Sequence, residues 1–192
     1  GYDVGEVSDV EERAEAAREI LKRAGEKLVL PSDVFVAREV VEQGRLEKSH
    51  RMVSFTVDLN PQVEEMLREA PEIMEAVKNP VVQLEQGEKV ADIGINSSMK
   101  YHEIIRAAKT IIWTGPMGDF EDMESEIGSK GIAGILAIAA YGGAKGIAGG
   151  YDCLPVIDKF ELREHLSHIS TGHRAFFECL KGNALPGIEA LS

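Results

Sequence analysis

From Asp92 onward, short apolar runs alternate with amphipathic stretches at the spacing of βαβ units, and this alternation restricts the fold more than any other feature of the chain. Ser97 or Ser98 can cap a helix through Ala108, Thr110 to Trp113 reads as a strand, and residues near Glu124 to Ala140 read as a second helix. Gly131, Ala133, Gly134 and Ala137 suit that helix to close packing on a sheet. A strand over Lys145 to Ala148, a short helix from Pro155 through Phe160, a strand over Ser167 to Ser170 and a helix from Ala175 to Leu180 ended by Gly182 continue the series. Strands separated by helices in this way predict an α/β fold with a mostly parallel sheet.

The residues before Asp92 are patterned differently. Ser8 with Glu11 fits a capping box, and Val10, Ala14, Ala17 and Leu21 fall on one helical face before Gly25 stops the helix. Leu28-Val29-Leu30, closed by Pro31, reads as a short strand, and Asp33 to Ala37 as another extended run. Met52 to Val57 reads as a strand, while Pro61 opens an acidic helical stretch from Val63 to about Lys78 that Pro80 ends.

At 192 residues the chain is long enough for one domain with a substantial core. Its formal net charge of −12 argues against nucleic acid or an anionic membrane as the main partner, since either needs a basic stripe. No apolar run approaches the ~18 residues of a membrane helix. Cys153 and Cys179 form no CxxC, and no secretory signal opens at Gly1, so reduced thiols and a cytoplasmic location are expected.

Three strand-to-loop corners carry the chemistry: Trp113-Thr114-Gly115-Pro116-Met117-Gly118-Asp119-Phe120-Glu121, Gly149-Gly150-Tyr151-Asp152-Cys153, and His168-Ile169-Ser170-Thr171-Gly172. In open parallel α/β sheets, ligands bind in the crevice outside the carboxyl ends of the strands. Glycines there let backbone amides approach an anion, and an aspartate beside them is placed either to hold Mg²⁺ or to cap a helix. Gly142-Gly143-Ala144-Lys145 turns a helix into a strand, and no G-x-x-x-x-G-K-[ST] occurs. Trp113 reads as core, and His168 as a packed or capping residue. His102-Glu103 lacks the second histidine of a zinc motif. Cys153 lies near a helix N-terminus able to lower its pKa, but a buried small residue is the preferred reading.

These corners resemble the nucleotide-binding C-terminal half of phosphoglycerate kinase, whose wording is W-N-G-P-x-G-V-F-E, G-G-G-D-[ST] and H-x-S-T-G-G-G-A. The resemblance extends to the first helix, to Leu30-Pro31-Ser32-Asp33, and to Leu185 through Leu191, which is similar to the family's C-terminus. It implies a Rossmann-like three-layer parallel sheet with helices on both faces, incomplete at its N-terminal end, and a single domain over 1–192 with a family-atypical segment at about 40–90. By the same resemblance, Thr114, Gly115, Pro116 and Glu121 contact the nucleoside, with Thr114 and Glu121 on the ribose. Gly149, Gly150, Cys153, Thr171, Gly172 and Arg174 belong to the phosphate loops, and Asp152 holds Mg²⁺ with ADP or ATP. No catalytic residue is expected in this half.

The departures are specific. Thr114 stands where the family has Asn, Asp119 where it has Val, Tyr151 where it has a third glycine, and Gly172-His173-Arg174 where it has three glycines. Side chains at these places either crowd the phosphates or, through the Arg174 guanidinium, replace amide contacts. The resemblance therefore implies a part of an enzyme that transfers a phosphoryl group between 1,3-bisphosphoglycerate and ADP. Alone, the chain is expected to be inactive and to need the missing N-terminal half or another subunit. The alternative is a non-catalytic domain of the same family with a closed nucleotide site.

Overall fold

The computed structural model describes residues 10–42, 45–55, 65, 68 and 84–191, except for the side chains of 10–13, 40–42 and 45–47. The capping box at Ser8, the helical stretch at 63–78 and Pro80 fall wholly or almost wholly outside these residues. Two compact units emerge, Gly1–Met99 and Lys100–Ser192.

In the first unit, α1 (Val10–Ala24) passes into a short 3₁₀ turn at Gly25–Lys27, as the Gly25 stop signal predicts. Leu28 to Leu30 is not a strand: Pro31 immediately after it cannot donate to a ladder, and Leu30 is exposed. β1 (Asp33–Glu42) and β2 (Arg45–Ser54) form a long antiparallel pair, in register from Asp33 opposite Ser54 to Glu42 opposite Arg45. β3 (Glu88–Ile93) pairs antiparallel with the other edge of β1, giving the order β2-β1-β3. Its buried core includes Val34, Val36 and Val53, against which Phe55 and Leu84 pack. The antiparallel sheet departs from the parallel arrangement expected of the chain, because apolar alternation marks a half-buried strand without specifying its direction.

α2 (Ile95–Ala107) begins in this unit and runs into the second. Its first turn is capped from a distance. The buried Asp33 carboxylate accepts hydrogen bonds from Asn96 N at 2.9 Å and Ser97 N at 2.7 Å, while Gly94 N donates to the Asp33 carbonyl at 2.8 Å. Ser97, expected as a possible cap, lies inside the helix, and its hydroxyl instead accepts from Ser32 N and Asp33 N. A Cβ on Gly94 would run into the Asp33 side chain, so the seating of that carboxylate against the start of α2 requires glycine here.

The second unit contains the parallel sheet. β4 (Thr110–Trp113), β5 (Lys145–Gly149) and β6 (His168–Ser170) run parallel in the order β4-β5-β6. α3 (Ile127–Tyr141) joins β4 to β5 and buries Ile132, Ala133, Ile135, Leu136 and Ala139 on one side. α4 (Cys153–Lys159) starts two residues before Pro155, and a 3₁₀ turn at Arg163–His165 leads to β6. α5 (Arg174–Leu180) and the short α6 (Pro186–Glu189) follow. Trp113, Leu136, Ala148, Val156, Ile157 and Phe176 are buried.

Candidate nucleotide site at the carboxyl edge of the parallel sheet

The register of the three strands fixes where their loops emerge. Trp113 pairs with Ala148, and Ala148 with Ile169; one residue further on, Gly149 pairs with Ser170. Thr114, Gly150 and Thr171 therefore leave adjacent strands at one edge of the sheet. The β4 and β5 corners touch at the backbone: a Cβ on Gly150 would lie 2.8 Å from the Thr114 carbonyl oxygen, and its φ of +119° lies in a region that disfavours L side chains. Against β5, the Phe176 ring occupies the space where a Gly149 side chain would be.

Cys153 binds two of these corners together. Its thiol is fully buried and donates to the Trp113 carbonyl at 3.2 Å. Burial pushes the thiol pKa up, with the Asp152 charge adding to the rise, and outweighs the lowering by a backbone hydrogen bond at Gly149. The thiol is thus a packed structural group, and desolvation overrides the activation that a helix N-terminus offers. Trp113 is core, as its sequence position suggests.

Asp152 occupies the N-cap position of α4 and is exposed, although its side chain makes no capping hydrogen bond. Thr171, Gly172 and Arg174 are exposed beyond β6, and His173, at φ +39°, is the N-cap residue of α5. His173 adopts positive φ at a position where the related family wording has glycine. The His173 and Tyr151 rings meet, with centroids 5.2 Å apart and planes inclined by 42°. Two substitutions read separately in the sequence therefore form one contact between the β5 and β6 corners. Sequence reasoning missed this pairing because it depends on the parallel register.

The Thr114–Glu126 segment is held by residues outside the three motifs. The buried Ser129 hydroxyl, in the first turn of α3, accepts from Met117 N at 2.9 Å and Gly118 N at 3.3 Å. Lys159 donates to the Phe120 carbonyl and pairs with Glu126. A serine or lysine inside a helix gives no sequence signal for such anchoring. Gly115 and Pro116 are half-buried, whereas Glu121 and Asp119 are exposed. No described contact brings Glu121 against the β5 or β6 corner. His168 is exposed in β6, and its ring is not buried as the packed reading supposed. Among the described residues, no group of three His, Cys, Asp or Glu side chains converges to hold a metal.

An α/β protein whose parallel strands end together in glycine-bearing loops belongs to the class that binds ligands at the strand carboxyl edge. A family-wide sequence profile described as phosphoglycerate kinase matches residues 1–183, and the chain belongs to that family. It is 33% identical over 194 residues to the phosphoglycerate kinase of Chloroflexus aurantiacus, covering all of this chain and 41% of that protein. The enzyme of Mannheimia succiniciproducens is 35% identical over 156 residues, covering 81% of this chain and 40% of that one. The solved structure of phosphoglycerate kinase from Coxiella burnetii matches with a TM-score of 0.69 and 30% identity, over all of this chain and 42% of that chain. A second, from Pyrococcus horikoshii OT3, shares the fold at a TM-score of 0.65 and 24% identity, covering all of this chain and 40% of that one. The chain thus spans about two fifths of the length of these relatives.

Proposed function

We propose that this chain is the nucleotide-binding part of a phosphoglycerate kinase acting in glycolysis, and that its two units belong to one domain. The observation that carries the reading is the register that brings the β4, β5 and β6 corners to one edge of the parallel sheet. In this reading, Thr114, Gly115, Pro116 and Glu121 hold the nucleoside. The backbone at Gly149, Gly150, Thr171 and Gly172 receives phosphate oxygens, and Cys153 acts only by locking the β4 and β5 corners. Arg174, exposed at the start of α5, adds a cation.

A single exposed carboxylate at Asp152 fits Mg²⁺, which retains water and is commonly held by one or two carboxylates together with substrate phosphates. Mg²⁺ would supply charge neutralisation for ADP or ATP there. Phosphoryl transfer between 1,3-bisphosphoglycerate and ADP requires the substrate-binding part of the relatives, so this chain alone is predicted to show no turnover. The completing segment would be the N-terminal half or another subunit. Among the described residues, β4 forms one edge of its sheet with Ile112 45% exposed, and it offers a strand edge for such a segment. A cytoplasmic location accords with free Cys153 and Cys179.

A second reading, a non-catalytic binding domain with a closed nucleotide site, is favoured by the Tyr151–His173 contact. Titration calorimetry with ADP, with and without Mg²⁺, separates the two. The kinase reading expects weak Mg-dependent binding whose metal dependence disappears in Asp152→Ala. No heat at millimolar ADP from folded protein, together with binding gained by Tyr151→Gly plus His173→Gly, supports the closed site.

A further inference from the structure

The opposite, amino-terminal edge of the parallel sheet has its own charged groove. A cavity of about 660 Å³ is lined by Arg106, Lys109, Thr110, Ile138 and Lys145 together with alanines and glycines, and no carboxylate lines it. Elsewhere in this unit, Lys130 and Lys159 pair with Glu126, Arg163 with Asp158, and Lys181 with Glu178. Arg106, Lys109 and Lys145 have no such partner among the described residues. In a chain of net charge −12, three cations lining one groove without a carboxylate concentrate positive charge there.

Their placement follows from the fold. Thr110 pairs in register with Lys145, the Lys109 carbonyl accepts a 2.8 Å hydrogen bond from Lys145 N, and Arg106 lies in the last turn of α2 just before them. Cations near helix C-termini often neutralise the terminal carbonyls. Here the backbone serves four of those carbonyls instead: Gly142 N bonds Ile138 O, Gly143 N bonds Ala140 O, Ala144 N bonds Ala139 O, and Ala108 N bonds Ile105 O. The three side chains donate to none of them. Their like charges repel one another, and a shared anion would relieve that repulsion.

We propose that this groove binds a small multivalent oxyanion, held by Arg106, Lys109 and Lys145 with the Thr110 hydroxyl at its rim. The site lies at the opposite end of the strands from the nucleotide corners, and the proposal does not depend on the nucleotide reading. The test is calorimetric titration of the 192-residue chain with inorganic pyrophosphate, without Mg²⁺, at low ionic strength and against a sodium chloride control of equal ionic strength. Binding is expected to weaken about threefold in Lys109→Gln and in Lys145→Gln, and roughly tenfold in the double variant. Lys109→Arg should retain affinity. Far-ultraviolet circular dichroism checks that each variant is folded. If the double variant is unfolded, Thr110→Glu is used instead and is expected to abolish binding through like-charge repulsion. No binding beyond the chloride control, binding unchanged in the variants, or binding lost in Arg174→Gln but kept in Lys109→Gln plus Lys145→Gln would each overturn the proposal.

Discussion

Replacing Asp33 by alanine removes a side chain that caps the first turn of α2. Its carboxylate accepts Asn96 N at 2.9 Å and Ser97 N at 2.7 Å, and both the aspartate and Ser97 are almost wholly buried. Loss of an N-cap costs about 0.5–2 kcal/mol, and a buried donor left without an acceptor costs about 1–3 kcal/mol. Relief from burying the carboxylate offsets part of this, so a net loss of about 2–4 kcal/mol is expected. That is a large fraction of the stability of an ordinary domain. Asp33→Asn keeps one oxygen acceptor and should lose roughly half as much. Urea unfolding followed by circular dichroism at constant protein concentration measures both. A loss below about 0.5 kcal/mol for Asp33→Ala, with an unchanged denaturant slope, would refute the capping argument.

The other expectations are more compact. Gly150→Ala places a Cβ against the Thr114 carbonyl at φ +119° and should destabilise the chain by about 1–3 kcal/mol, read as a lower urea midpoint. Glu88 accepts both ends of the Arg51 guanidinium fork, and this hydrogen bonding holds its carboxyl below the ordinary 4.5 despite burial. Because the folded pKa is depressed, the contribution is complete above pH 4.5 and is lost as pH falls through the folded value; the acid arm of a stability profile should flatten in Glu88→Gln. Cys153 should resist a thiol reagent until the protein unfolds whereas exposed Cys179 reacts at once, which stopped-time mass spectrometry resolves.

The second unit was largely legible in the sequence because periodicity, Pro and Gly marked its elements, and the observed strands end within a residue or two of their expected bounds. The β1–β2 pair was legible only as two extended runs. Nothing local states that Asp33 faces Ser54, since pairing direction arises from tertiary contact. The local pattern points to Ser97 or Ser98 as the cap on α2, but Asp33 supplies it from another strand. At the site, the three corners were visible as motifs. The Ser129 anchor and the Tyr151–His173 contact were not, because each joins residues whose proximity only the folded register creates.

Hydrogen exchange with and without Mg-ADP tests most directly the claim that nucleotide binds at the carboxyl edge of β4, β5 and β6. The account predicts slowed exchange in peptides covering residues 114–121, 149–153 and 171–174, reduced for 149–153 in Asp152→Ala. Protection elsewhere with these three segments unchanged, or no protection at saturating Mg-ADP, would contradict it.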